Sequence, residues 1–488
     1  MCFIFNPTFW LIVVLAALCV HFYKIYTHVN YIPAPPYLPL LGHYFDYADE
    51  TKILDRVSSH VYKYGGIIRQ TVGPVKPSLQ TANKDFMQFL SQNGRYTIKA
   101  TFYRFLHPWL GEGLLTSEGE KWKTRRRALT PCFMQTSVLK SFLDTFEEKS
   151  DTLVKIFEAH LNEEISLVPF VKRFTLDVIC ATAMGAEQNI QENVDSKYLH
   201  SVETLCEIYT LRMRSVFKRF DWIYYFTEDR RKEVEALTIV NDLLNEIIQK
   251  KTVVRQKNDD SNRRMDMLHL LMRMKIDGKP LSFHDMREEL NTFLFAGFDT
   301  TASALSFAVY EIAANPNVQN KIFEEQKKIW KGNMCNPVLT YESINEMVYL
   351  DLVVKEVLRL YPSVPFIGKR FVKDIYYGDI RLPRMLNFSV FIYALHRHPD
   401  YFTEPEKFIP ERFENKELTD PRIYAPFGVK PRSCIGQRFA ILELKSVLSK
   451  LIRNFEFVNV PGHKLVLTSR LNIKSQTGIH VILKRRKK

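Results

Sequence analysis

Between Ser282 and Asn315-Pro316 the chain holds an uninterrupted helical stretch of 32 residues, Phe283 to Ala314. Ser282 and Asp285 form a capping-box pattern at its start, and the Asn-Pro pair stops it. At 1.5 Å per residue such a helix runs about 48 Å, enough to cross a whole domain. The rest of the chain must therefore pack around it. Phe293, Leu294, Phe295, Ala296 and Phe298 lie almost in succession, which predicts burial nearly all round. A buried helix should be bland in its middle, because unpartnered polar groups there are costly. This one instead carries Gly297, Asp299, Thr300 and Thr301. Threonine hydroxyls can bond the carbonyl one turn back and bend a helix. The centre therefore reads as a local groove.

Helical periodicity dominates from about residue 50 onward. Strand-like pieces are short: Ile67 to Val72, Val372 to Tyr377, Asn387 to Tyr393 and a patch from Leu465 to Leu483. The expected fold is mainly α with a minor β-sheet region. No internal repeat is present, and the polar stretch Gln256 to Met265 reads as an exposed loop. With 46% hydrophobic and 25% charged residues, composition excludes disorder over most of the chain. The net charge of +14 attracts anionic partners, but zinc-finger spacing and aromatic-interleaved basic runs are absent, so no nucleic-acid role is expected. The seven cysteines are odd in number, widely spaced and without a CxxC pair, which suits reduced thiols facing the cytosol.

Phe3 to Tyr23 carries no Asp, Glu, Lys or Arg. About 20 apolar residues suffice to cross a bilayer. A cleaved signal peptide would need a basic start, a shorter apolar run and a small-residue cleavage site. Residues 1–23 are therefore expected to be a single, uncleaved anchor. Pro33, Pro35, Pro36 and Pro39 make residues 24–42 a stiff linker, ahead of a soluble body over 43–488.

Residues Pro426 to Ala440 read PFGVKPRSCIGQRFA. Cys434 sits in a loop, with Gly436 next and an amphipathic helix following. A thiolate there gains from the free N–H groups and positive end of the helix. Taken alone, one buried Cys is more often inert packing. The spacing F-x-x-x-x-R-x-C-x-G, here Phe427, Arg432, Cys434 and Gly436, resembles the haem-binding loop of the cytochrome P450 family. Other segments share the likeness across nearly the whole chain. Glu356 and Arg359 match the family's E-x-x-R, and Arg412, in Pro410-Glu411-Arg412-Phe413, matches the third member of its structural triad. Trp122 and Arg126 match W-x-x-x-R, Arg370 matches another basic position, and Ala296 to Thr301 matches the oxygen-binding segment.

The resemblance implies a P450-like fold with an N-terminal transmembrane helix. It implies haem b held by Cys434 as the metal ligand, with Phe427 and Gly436 framing the loop. Arg126, Arg370, Arg432 and the Trp122 indole would hold the propionates, since Arg binds carboxylates bidentately. Asp299 and Thr300 would relay protons, while Glu356, Arg359 and Arg412 would lock the meander before the haem loop. The implied activity is insertion of one oxygen atom of O2 into an apolar substrate: fatty acid, steroid, terpenoid or xenobiotic. Electrons would come from an NADPH-dependent flavoprotein reductase, docked on Lys123, Arg125, Arg127 and Lys430. The implied location is the endoplasmic reticulum membrane, among membrane lipid, with the body in the cytosol. Alternatives are an oxygen-independent haem-thiolate isomerase or dehydratase, against which Asp299-Thr300 argues, and a non-catalytic haem or lipid carrier.

Gly113 to Phe133 and Leu176 to Gly185 resemble the branch that includes fatty-acid ω-hydroxylases. Two positions depart from it. Ala296 stands where many members have a Glu that can form an ester with a haem methyl. Lys430 stands where the haem loop usually has Gly.

Overall fold

The computed structural model describes residues 29–487, apart from 39–40, 74, 187, 194, 258–265, 277 and 335–336, together with scattered positions between 9 and 20. Most of the expected anchor, the end of the polar stretch after Gln256, and Cys2, Cys19 and Cys335 lie outside the described residues.

The long helix forms as its caps dictate, over Phe283–Ala314. Asp285 N–H donates to Ser282 Oγ at 3.1 Å, and Ser282 N–H donates to Asp285 Oδ2 at 3.3 Å. In chain order the main helices are α1 (Gly119–Met134), α2 (Thr136–Glu158), α3 (Leu167–Ile179), α4 (Lys197–Arg214), α5 (Glu228–Lys257), α6 (Phe283–Ala314), α7 (Pro316–Ile329), α8 (Val348–Leu360) and α9 (Gln437–Asn454). Helix α6 is the hub, packed by α3, α5, α8 and α9. Gly297 permits the closest approach: a Cβ there would stand 2.8 Å from Ile179 Cδ1 of α3. Among the described residues α6 alone is long and apolar enough to span a membrane, and 78% of that window is buried inside the protein. It is a core helix.

The strands are β1 (Ile67–Gln70), β2 (Ser78–Thr81), β3 (Thr97–Lys99), β4 (Glu164–Ser166), β5 (Phe366–Phe371), β6 (Asn387–Phe391), β7 (Phe455–Asn459), β8 (Leu467–Ser469), β9 (Ile473–Ser475) and β10 (His480–Arg485), with two further two-residue or three-residue ribbons. One sheet has the order β1-β2-β6-β5-β3, with β2 and β6 parallel; another has β7-β10-β4; and β8-β9 is a hairpin. The fold is thus mainly helical with small sheets, as expected. The strand expected over Val372 to Tyr377 is displaced: the main strand is β5, ending at Phe371, and only Ile375–Tyr377 of the expected piece is extended. The proline-rich stretch also differs from a free spacer. Val29 and Ile32 are buried, Arg69 N–H donates to the Pro33 carbonyl at 2.7 Å, and His43 contacts the Pro35 carbonyl at 3.1 Å. Its C-terminal half is docked on the body.

Candidate active site

Cys434 lies three residues before the start of α9, with Gly436 at the helix cap. Its backbone N–H donates to the Phe427 carbonyl at 2.8 Å, which closes the loop on itself. Burial pushes the Cys434 thiol up, while the Gly436 N–H and the Arg126 charge draw it down. The residue is accessible, but to an internal cavity rather than to the surface. That cavity has a volume of about 230 Å³ and is lined almost wholly by apolar groups, the usual character of a small-molecule site. Phe133, Phe293, Ala296, Thr300, Ile367 and Phe427 are among its walls, and no carboxylate lines it among the described residues.

The α6 groove forms the cavity's far wall. Thr300 Oγ1 donates to the Ala296 carbonyl at 2.6 Å, the back-bond its sequence setting predicts. Ser363 Oγ donates to the Thr300 carbonyl at 2.8 Å. Asp299, one residue earlier, faces the other way. Its Oδ2 accepts from Asn472 Nδ2 at 2.8 Å and pairs with Lys474 Nζ at 3.1 Å, outside the cavity.

One side of the site is crowded with cations. The Arg432 guanidinium stacks on Trp122, 3.9 Å from the ring centre, and donates to the Ser117 carbonyl at 2.7 Å. Its other terminal nitrogen is buried with no partner. Lys99 of β3 and Lys369 of β5 face each other across the strand pair. Like charges directly opposite are destabilising. Lys369 Nζ is buried and unbonded. Burial, then Arg432 and Lys369, push Lys99 down to about 7; burial and Arg432 push Lys369 down to about 8. Burial likewise pushes Arg432 down to about 10. Three cations that lower one another's charge call for an anion among them.

Arg370, the β5 cation named from the sequence, pairs with Glu118 at 3.4 Å and has its Nε buried without a hydrogen-bond partner. Lys369, one residue earlier, is a second β5 cation, on the other side of the strand, and it is the one that feels Arg432. Arg126 is half-buried and senses the Cys434 charge. The expected docking role of Arg125 fails for a physical reason: it is 5% exposed and paired with Glu289 at 2.7 Å and with Asp285. Lys123 pairs with Glu120 at 2.5 Å, while Arg127 and Lys430 are exposed. The left-handed position of the loop is Gly428, at φ +74°, and Lys430 is not among the residues with positive φ. A lysine there is therefore unstrained.

Beneath the loop, Glu356 and Arg359 are both fully buried and joined by two hydrogen bonds of 2.8 Å. Arg412 Nε donates to Glu356 Oε1 at 3.0 Å. The sequence did not reveal His396. Burial, then Arg359, push it down to about 3, so its neutral Nε2 accepts the Ala425 N–H at 2.8 Å, just before the loop.

An accessible thiol, an apolar chamber and buried cations with unused hydrogen-bond donors suit an apolar group that carries negative charge. The comparisons agree. The chain matches the cytochrome P450 family over residues 32–478. It is 35% identical to cytochrome P450 4d1 of Drosophila melanogaster over 473 residues, covering 92% of each chain. It is 36% identical to human cytochrome P450 4V2 over 441 residues, covering 87% of this chain and 83% of that protein. The chain belongs to the cytochrome P450 family. It is a monooxygenase of that family, whose prosthetic group is haem with a cysteine thiolate as axial ligand and which uses O2, a redox partner and apolar substrates.

Proposed function

We propose that this chain is a membrane-bound monooxygenase in which Cys434 is the thiolate ligand. The observation that carries the reading is the Cys434 thiol opening into an apolar cavity, with Arg432, two residues from it in the same loop, keeping one buried terminal nitrogen without a hydrogen-bond partner, as does Lys369. Haem bound there supplies the oxidising power, with the thiolate pushing electron density onto iron. The protein's own residues do the rest. Arg432, Trp122, Lys369, Lys99 and Arg126 hold the propionates, with Arg370 and Glu118 at the rim. Phe427 and Gly436 shape the loop. The apolar walls exclude water and seat a fatty acid, steroid, terpenoid or xenobiotic. Thr300 presents a hydroxyl where a proton must arrive, and Asp299 stands one residue behind it.

Electrons come from an NADPH-dependent flavoprotein reductase. Exposed Lys430 and Arg438 beside the outer groove of the loop, with Arg127, supply a basic docking face. The apolar run Phe3 to Tyr23 supports a single anchor in the endoplasmic reticulum membrane, with the body facing the cytosol. Phe217, Trp222, Tyr225 and Phe226 are each at least 67% exposed. Gly73 and Val72 of the segment following the linker meet Val216 and Arg219, which precede most of this patch in the chain. Exposed aromatics in such a cluster suit a membrane interface.

The test is product analysis of the full chain with reductase, NADPH, O2 and a lipid panel. Products carrying one added oxygen, dependent on both NADPH and O2, support the reading; substrate isomerised or dehydrated without either would replace it. Thr300→Ala is expected to bind haem and accept electrons normally but divert them to hydrogen peroxide. Unchanged coupling of NADPH use to product would remove Thr300 from this role.

Two further results follow from the charges around the haem. Above about pH 8 Lys99 and Lys369 are largely neutral on their own. A carboxylate placed among them restores their ordinary range, so haem loading should take up protons. Uptake in weakly buffered solution at about pH 8.5 should shrink in Lys369→Met; equal uptake in both proteins would exclude Lys369 from the propionate site. Separately, Ala296 lines the cavity and no acid does so among the described residues. Haem should therefore elute free of the polypeptide on chromatography in acidic organic solvent. Co-migration would reveal a covalent link made elsewhere.

A further inference from the structure

On the side of α6 opposite the apolar cavity lies a second void, of about 200 Å³, with a different chemistry. Lys172, Glu203, Arg470 and Lys474 line it together with Asp299. Lys172 pairs with Glu203, and Lys474 with Asp299, so the charges are balanced in pairs and the void is a place for water. Asp299 is 3% exposed, and its carboxylate is held here by the β8-β9 hairpin through Asn472 and Lys474. The same hairpin is tied into the groove. Ser303 Oγ of α6 donates to the Ile473 carbonyl at 2.8 Å, Ile473 N–H donates to the Ser363 carbonyl at 2.9 Å, and Ser363 Oγ donates to the Thr300 carbonyl. Asp299 and Thr300 are thus fastened to one hairpin, yet open into different chambers.

We propose that Asn472 and Lys474 are positioning residues for proton delivery, holding the Asp299 carboxylate in the polar void so that protons reach the reaction from this side of α6. Placing one atom of O2 in the substrate and releasing the other as water consumes two electrons, from the reductase, and two protons. The apolar cavity lacks a titratable wall residue other than the proposed ligand Cys434, among the described residues. The polar void has several, and Asp299 is one residue from the Thr300 hydroxyl. In each transfer a proton from bulk solvent, relayed along water in the void, is taken up by the Asp299 carboxylate and passed on toward Thr300 Oγ1, which returns the carboxylate to its starting form for the next solvent proton. Lys474 and Asn472 keep the carboxylate aimed at its proton source. Burial is the largest influence on the Lys474 ammonium and lowers it, but Asp299, Cys206 and Glu203 together outweigh burial and the net direction is up.

The inference rests on the monooxygenase reading above, and its test separates the two. Full-length protein is compared with Lys474→Met, Lys474→Arg, Asn472→Ala and the Lys474→Met/Asp299→Asn double variant. In Lys474→Met, haem content and the substrate-induced spectral shift should be unchanged. Peroxide release per NADPH should rise several-fold, and the solvent deuterium isotope effect should increase. Lys474→Arg should restore both, Asn472→Ala should give a smaller change of the same sign, and Lys474→Met should add nothing once Asp299 is Asn. A second readout needs no turnover. In a crystal structure of resting Lys474→Met the Asp299 carboxylate should have left its wild-type position in the polar void, whereas in Lys474→Arg it should keep that position. Wild-type coupling in Lys474→Met, or an unmoved Asp299 carboxylate in its structure, would reduce the pair to a fastening for the hairpin. If Lys474→Met does not fold, Asn472→Ala and Lys474→Arg decide the matter by the same readouts. Failure of the wild type to oxidise any substrate would count against the monooxygenase reading alone, because the structural result stands apart from it.

Discussion

Cys434→Ser is expected to abolish the red-shifted Soret band that the reduced protein shows with carbon monoxide. The substitution is nearly isosteric, and the backbone bond from residue 434 to the Phe427 carbonyl does not involve the side chain. The loop should therefore keep its shape. The electronic change is large. A coordinated thiol is deprotonated outright by the metal, which here would have to overcome burial, only partly offset by the Gly436 N–H and Arg126. A serine hydroxyl at the same place remains a weak, neutral ligand, and the electron push that favours O–O cleavage disappears. Product formation should fall below detection. The other described cysteines cannot substitute: Cys132 and Cys180 are buried, and Cys206 lines the polar void across α6. A band that survives in Cys434→Ser would mean that another sulfur is the ligand.

How much of this was legible in the sequence depended on whether the deciding contacts were local. The α6 caps lie three residues apart, and the helix begins and ends where they predict. Glu356 and Arg359 share a helix face, and the Cys434 loop is one continuous segment. Where the contact is made by distant segments, sequence alone misled or was silent. Lys99 and Lys369 are ordinary surface-type residues until the β3-β5 register brings them face to face. The sequence named Arg370 but not Lys369, whose part depends on strand phase, and the strand boundary was misplaced. Arg125 sits in a basic run that reads as a solvated face, yet its helical phase turns it into the acidic start of α6. His396, Asn472 and Lys474 act through partners 29, 173 and 175 residues away, and nothing nearby announces them.

Glu356→Ala is expected to yield protein with little or no bound haem. Glu356 is fully buried and accepts from Arg359 Nε and Nη2, from Arg412 Nε and from the Ile409 N–H at 2.9 Å. Its loss leaves the fully buried Arg359 charge without its counter-ion. Removing one partner of such a pair typically costs about 3–5 kcal/mol, because the other is stranded. The damage would also be directional. Arg359 donates to the carbonyls of His396, Pro405 and Lys407, and Arg412 to that of Thr403. These bonds fix the irregular segment that leads to the Cys434 loop, where only fixed partners can satisfy a backbone outside helix and sheet. His396 carries the link onward to Ala425. With the carboxylate gone, both guanidiniums are drawn toward water and the segment loses its template. Glu356→Gln keeps the volume and one acceptor but loses the charge, so it should retain an intermediate fraction of haem. The measurement is the haem-to-polypeptide ratio of purified protein, together with the midpoint of thermal unfolding. Full haem content in Glu356→Ala would show that the loop holds its shape without this network, and would leave Arg359 and Arg412 as ties between α8 and the following segment only.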